Sequence, residues 1–306
     1  MDKPFKTIDE QVAILESRGM RTDAKTPSIL RREGYYSVVN GYKALFLDGS
    51  GADRYLDGTT FDDVYRLFTF DRDLRMTMIR YFAQAEAALK TACAYQFSER
   101  HAGEAEAYLN PLNYRRDNGY RRKVRDLIED FRKVLHKGDY DRGPFKREYI
   151  EHYVRNHDET PLWVLTNFLM LGQIFKFYEY QTDSMRNSIA KSFSELYEES
   201  YGTRIHISPR QLRLAYDHIK DFRNICAHDE RLYCARVSPS RDVTFASLLD
   251  DLSLVLTKEE NTRMQAEVIH LIHAVLNDLG PDVALPVLDA MGVKSLEDTF
   301  FSITGK

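Results

Sequence analysis

An all-α fold is predicted for this 306-residue chain by three features. Ser or Thr repeatedly stands three residues ahead of an acid or amide, a pattern that satisfies orphan N–H groups at a helix start. Apolar residues fall at helical spacing, and no Pro or Gly interrupts residues 60–102. Alternating runs of β-branched and aromatic residues, the mark of strands, are nearly absent.

Thr7 to Glu10 opens the first helix, whose apolar stripe is Ile8, Val12 and Leu15, and Gly19 stands where a left-handed residue closes it. Thr26 with Pro27 starts a short second helix that Gly34 ends. Tyr35 to Tyr42 then reads as a packed extended or turning stretch. After a Gly- and Asp-rich loop from Asp48 to Gly58, one long helix or two occupy residues 59–103, with Phe61, Val64, Phe68, Leu74, Met78, Phe82, Ala85 and Leu89 near helical spacing. Asp71 with Arg75, and Glu86 with Lys90, are i,i+4 ion pairs on it.

Residues 119–137 form a further helix on Val124, Leu127, Ile128, Phe131 and Leu135. Thr160 with Pro161 at the first helical position begins another. Ser208-Pro209-Arg210-Gln211 joins a capping box to an N1 proline, and helix follows to about His228. Thr257 to Glu260 caps a further helix that stops at Gly280-Pro281.

Composition narrows the function classes. With 43% hydrophobic residues the chain can bury one large core or two modest ones. Cys93, Cys226 and Cys234 make neither an even disulfide set nor a C-x-x-C knuckle, which argues against zinc and for a reducing cytosol. The N-terminus lacks the apolar run of a secretion signal, and no stretch approaches the ~20 apolar residues that span a bilayer. A soluble, cytoplasmic protein without membrane contact is expected. A net charge of -4 excludes coating of nucleic acid by bulk charge, yet residues 115–147 hold twelve Lys/Arg against six Asp/Glu, so that segment is +6 and the rest is -10.

On the helix after Pro209, Leu212, Ala215, Ile219, Phe222 and Cys226 make the buried stripe, and Arg213, Asp217, Lys220, Asn224 and His228 a polar one. Asn224 and His228 are i,i+4 neighbours, with Arg223 about 100° round from Asn224. These three groups suit cleavage of a phosphodiester by its own ribose 2′-OH. Imidazoles titrate near neutrality and move protons; a guanidinium offers a fixed fork to phosphate oxygens; an amide holds phosphate or histidine in place. The chemistry calls for no metal and no cofactor. Arg-x4-His spacing also occurs at Arg147 to His152 and Arg213 to His218, and Arg223 with His228 near a helix end also suits a structural role, offsetting the dipole and bonding the last carbonyls.

The segment RNICAHDERLY, residues 223–233, resembles the RNxCAHHxRLW/Y signature of the bacterial abortive-infection AbiD/AbiF family, whose members carry a HEPN domain. KTIDEQVAILESRGM, REGYYSVVNGYKALF, FDDVYRLFTFDRDLR, AQAEAALKTACAY and PLWVLTNFLMLGQIFKFY resemble the family in family order, so the likeness spans Lys6 to about Arg236. It implies an all-α HEPN-type bundle with a helical N-terminal lead (1–58), a HEPN-like core (59–236) carrying the basic segment 115–147, and C-terminal helices (237–306) that complete the core or a dimer interface. It implies phage defence by acting on RNA, with Arg223, Asn224 and His228 as the metal-independent catalytic set leaving 2′,3′-cyclic phosphate ends. Because two such motifs usually face each other, a two-fold homodimer is expected.

Two positions depart from the family. Asp229 replaces the second His of the HH pair, and two roles stay open for it: orienting His228, or sitting in solvent at the helix end. Asn167 stands where the family position is usually acidic, and no role is assigned to it.

Further candidates flank the motif. Arg231 and Glu86 are possible supports, though Lys90 explains Glu86 equally well. Tyr35, Tyr36 and Tyr42, set among Val and Leu, read as core. In YRRDNGYRRK, Arg115, Arg116, Arg121, Arg122, Lys123 and Arg125 alternate with Tyr114 and Tyr120, a pattern that suits phosphate contact and base stacking as well as an ordinary solvated helix face. Three functions follow: an endoribonuclease, a non-catalytic partner of a regulatory non-coding RNA, or a helical protein-binding sensor of phage components.

Overall fold

Helix starts and stops in the computed structural model, which describes residues 4–137, 148–157, 159–238 and 240–294, follow the capping chemistry closely. Thr7 and Glu10 cap each other reciprocally at the head of α1 (Ile8–Ser17). Gly19, at φ 91°, turns the chain towards α2 (Thr26–Glu33), and Gly34, at φ 85°, ends it. The stretch after Gly34 coils rather than extends: Tyr36–Asn40 is a π-helical turn and Lys43–Phe46 a 3₁₀ turn. Val38, Val39, Tyr42 and Phe46 are buried there, whereas Tyr36 is 78% exposed, which corrects the core assignment for that ring.

The uninterrupted run after the Gly/Asp loop is a single helix, α3 (Phe61–Arg100). Next come α4 (Arg121–Leu135), two residues shorter at each end than its sequence suggests, and α5 (Glu148–Asn156). At Pro161 the structure departs from the sequence reading. Its ψ of 152° makes it the N-cap, so α6 (Leu162–Leu165) starts one residue later and runs for only four residues. The chain continues through α7 (Leu171–Glu179), α8 (Asp183–Tyr201), α9 (Pro209–Ala227), α10 (Phe245–Ser253), α11 (Lys258–Leu279) and α12 (Pro281–Met291). Among the described residues β-structure is confined to isolated bridges, and the fold is all-α.

Two compact units result. Among the described residues, the first is drawn from Met1–Ile79, Phe222–Ser247 and Thr262–Lys306, the second from Arg80–Asp221 and Leu248–Asn261. In the first, Leu15, Leu30, Val64, Leu67, Leu74 and Met78 are buried together with Phe222, Val268, Ile272 and Val287. In the second, Phe82, Leu89 and Phe97 are buried along with Phe131, Phe177, Phe193, Tyr216 and Ile219. Each such side chain contributes roughly 1.5–3 kcal/mol by leaving water. The stripe read from α9 is buried as its spacing requires: Leu212, Ala215, Ile219 and Phe222 are fully inaccessible.

Candidate active site

The first unit holds the end of α9, and with it Arg223, Asn224 and His228. His228 N donates to the Asn224 carbonyl at 3.0 Å, so helical geometry persists to His228 and stacks the two side chains one turn apart. Asn224 and His228 are exposed and Arg223 is half-buried. Arg223 Nη1 donates to Asn224 Oδ1 at 3.4 Å, joining guanidinium and amide on one surface.

The helix closes in a Schellman arrangement. Asp229 takes the left-handed conformation at φ 57°, Asp229 N reaches the Cys226 carbonyl at 3.4 Å, and Glu230 N reaches the Ile225 carbonyl at 3.0 Å. Backbone groups therefore already bond the Asn224, Ile225 and Cys226 carbonyls of the last turn. Cys226, between the polar residues in sequence, faces the core, and burial pushes its thiol up to about 12.

Beneath this end lies a buried polar cluster supplied by α3. Asp71 is fully buried and Arg75 is 3% exposed. The Asp71 carboxylate accepts from Arg75 Nη1 at 2.7 Å, from the Tyr42 hydroxyl at 2.6 Å, and from Leu232 N and Tyr233 N at 3.1 and 2.7 Å. Burial raises the Asp71 carboxyl above its usual range against the pull of these donors, and it raises the Tyr42 hydroxyl too. Arg75 extends its other terminal nitrogen, Nη2, to Asp229. Asp229 is largely in solvent at the helix end, as one of its two open roles has it, and in addition one of its carboxylate oxygens pairs with Arg75. Arg231 Nη1 donates to the Gly41 carbonyl at 2.8 Å, tying the same loop to the π-helical turn. Asp71 and Arg75 are legible in the sequence only as an i,i+4 pair; the signal of their role is that both lie on the apolar side of α3, between Phe68 and Met78.

Other predicted residues fall elsewhere. Glu86 is in the second unit, ion-paired to Lys90 at 2.6 Å, in the wall of a cavity of about 520 Å³ shared with Trp163 and Asn167. Asn167 Nδ2 donates to the Trp163 carbonyl at 2.9 Å. His218 of the alternative Arg213–His218 spacing bonds Asp251 at 2.8 Å, while Arg147 of the other spacing lies outside the described residues.

The basic segment also belongs to the second unit, and its residues 138–147 lie outside those described. Arg116, Arg121, Arg122, Lys123 and Arg125 are exposed and Arg115 half-buried. Arg115 lies 3.9 Å and Lys123 4.8 Å from the Tyr120 ring centre. Tyr114 is fully buried, its hydroxyl donating to the Tyr108 carbonyl at 2.7 Å, so it packs edge-on against Phe177 and does not stack on a base, contrary to the reading from its arginine neighbours.

The model of the Abi-like protein family matches residues 28–234, well over half of the chain, and takes in the motif, the Asp71–Arg75 cluster and the described basic segment. The chain belongs to the Abi-like protein family. That membership points to abortive infection, the class of phage defence in which the infected cell is disabled. No curated protein and no solved structure matches this Abi-like chain. Among its described residues no helix is long and apolar enough to cross a membrane.

Proposed function

We propose that this Abi-like protein is an endoribonuclease of HEPN type that cleaves RNA through the ribose 2′-OH. The observation that carries the reading is that Asn224 and His228 are exposed beside a half-buried Arg223 on a helix end where backbone N–H groups already bond the Asn224, Ile225 and Cys226 carbonyls and Asp71 clamps the exit loop. Polar groups carried on an anchored helix end, and not consumed by capping, are placed for preorganised catalysis.

In the reaction the 2′-oxygen attacks phosphorus as its proton passes to a base, and the 5′-oxygen leaves with a proton from an acid. The products are a 2′,3′-cyclic phosphate and a free 5′-hydroxyl. His228 performs one transfer, Arg223 stabilises charge on the non-bridging oxygens, and Asn224 orients phosphate or imidazole. A second copy of the motif in a two-fold homodimer supplies the other imidazole, because Asp229 stands where a second histidine would be and is committed to Arg75. The groups need no metal.

His228→Ala is expected to lose ~10²- to 10⁴-fold in cleavage of a labelled RNA while its thermal melt stays unchanged, with wild-type cleavage persisting in chelator. Equal cleavage by a well-folded His228→Ala protein would falsify the reading. A second reading, a stable complex with a regulatory RNA, is favoured by the exposed arginines at the start of α4, and the two roles are compatible.

A further inference from the structure

Beside the α9 end, the first unit opens a cavity of about 560 Å³ whose wall includes Tyr36, Phe68, Ile225, Arg231, Arg236 and Arg241. Its makeup is unusual for a structural gap. Tyr36 is 78% exposed, although Val38 and Val39 of the same turn are fully buried. Arg231 and Arg236 are each anchored through Nη1 to backbone carbonyls, Arg231 to Gly41 and Arg236 to Ala290 and Ala235. A carbonyl orients a guanidinium without neutralising it, and a guanidinium keeps further N–H donors for a ligand.

Arg241 sits at φ 53°, in a loop closed by Val237 N on the Val243 carbonyl at 3.1 Å and by Arg241 N on the Ser238 carbonyl at 3.2 Å. A non-glycine residue held left-handed in a closed loop marks a position whose direction is set by its surroundings. Two acids also line the cavity, Asp229 and Glu230, but Asp229 is committed to Arg75. The cavity therefore combines an exposed ring and three cationic forks with the carboxylates of Asp229 and Glu230, so the guanidinium groups outnumber the acids.

We propose that this cavity binds one nucleotide of single-stranded RNA, its base stacked on Tyr36 and its phosphate held by Arg231, Arg236 and Arg241. Stacking on an aromatic face with guanidinium forks on the backbone is how unpaired nucleotides are gripped. Ile225 and Asp229 belong both to the cavity wall and to the motif segment, so a nucleotide here positions the strand for the α9 end. The inference rests on the ribonuclease reading for the nature of its ligand.

The test is fluorescence anisotropy of a labelled single-stranded oligoribonucleotide of ~10 nucleotides on the full-length His228→Ala protein, in which the probe survives. Adding Tyr36→Ala or Arg241→Ala is expected to weaken binding by about tenfold each, and Tyr36→Phe, which keeps the ring, to bind like the parent. Arg241→Ala should also lower the slope of log affinity against log salt by ~0.7. Unchanged affinity in well-folded Tyr36→Ala and Arg241→Ala proteins overturns the inference. So does an equal loss by Tyr36→Ala on poly-glutamate, which has charge and no base. Should wild type and His228→Ala cleave RNA alike while Tyr36→Ala still weakens RNA binding, the nuclease reading fails and the nucleotide site stands.

Discussion

Asp71 accepts hydrogen bonds from four separate residues, two of them through backbone groups of the loop that follows the motif. Removing one partner of a buried ion pair costs ~3–5 kcal/mol, because the other charge stays buried without it. Asp71→Ala is expected to lose stability on that scale in urea melts, and to lose cleavage by more than the stability loss explains, since the 229–233 loop is released. A loss below ~1 kcal/mol would mean that the cluster is not what holds the loop. Asp53 offers a pH test in the same unit. Lys43 Nζ at 2.6 Å lowers its carboxyl below the usual range, against partial burial and with help from Arg18 at 3.3 Å. A lowered folded value means that the stabilisation is complete above the unfolded value of ~3.9 and is lost as pH falls through the folded one. Asp53→Asn should flatten the stability-versus-pH curve below about pH 4 and leave it unchanged in shape near neutrality.

At the scale of elements, helix ends carry the local information. Gly292 closes α12 at φ 79°, and a Cβ added there would stand 2.8 Å from Thr244 Cβ. Thr244 in turn accepts from Ser247 N at the head of α10. Gly292→Ala therefore combines a disfavoured backbone with a clash against a capping residue, and is expected to destabilise by more than ~1 kcal/mol in a thermal melt. The same logic shows why Asp229 tolerates its left-handed turn in α9: short polar side chains visit that region at modest cost, and Arg75 rewards the geometry. The elements also show where local reading stops. Pro161 reads from the sequence as the first helical residue and in the structure is the N-cap, because the two positions share the same φ and differ in ψ, which the proline ring does not set.

For the whole molecule, the exposed arginines at the start of α4 predict how it meets RNA. Arg121, Arg122, Lys123 and Arg125 are exposed, with Asp126 within reach of Arg122 and Arg125, at 3.7 and 3.6 Å. Exposed ion pairs of this kind hold little energy, so the cations stay available to phosphate. Replacing all four with Gln should reduce the salt slope of RNA binding by roughly 0.7 for each phosphate that is no longer neutralised, measured by anisotropy between low and moderate salt. A slope identical to the parent's would leave α4 as an ordinary solvated face. The expected homodimer is checked by sedimentation: a monomer at assay concentrations would require His228 to work without a second copy.

Periodicity and capping make the all-α class and most helix starts readable from the sequence, since both arise between residues a few positions apart. The exposed positions of Asn224 and His228 at the end of α9 are readable for the same reason. What lies beyond the sequence is the company those residues keep. That Asp71 of α3 clamps residues 232–233, that Arg75 rather than His228 takes Asp229, that Tyr114 is buried while Tyr36 is exposed, and that Arg231, Arg236 and Arg241 share one cavity with Tyr36 all depend on packing between distant parts of the chain, as much as 190 positions apart for Gly41 and Arg231. An i,i+4 pair has the same sequence signature on a solvent face and at the centre of a core. Only tertiary packing decides which, because burial, not spacing, determines whether a charge is hydrated by water or must be held by its neighbours.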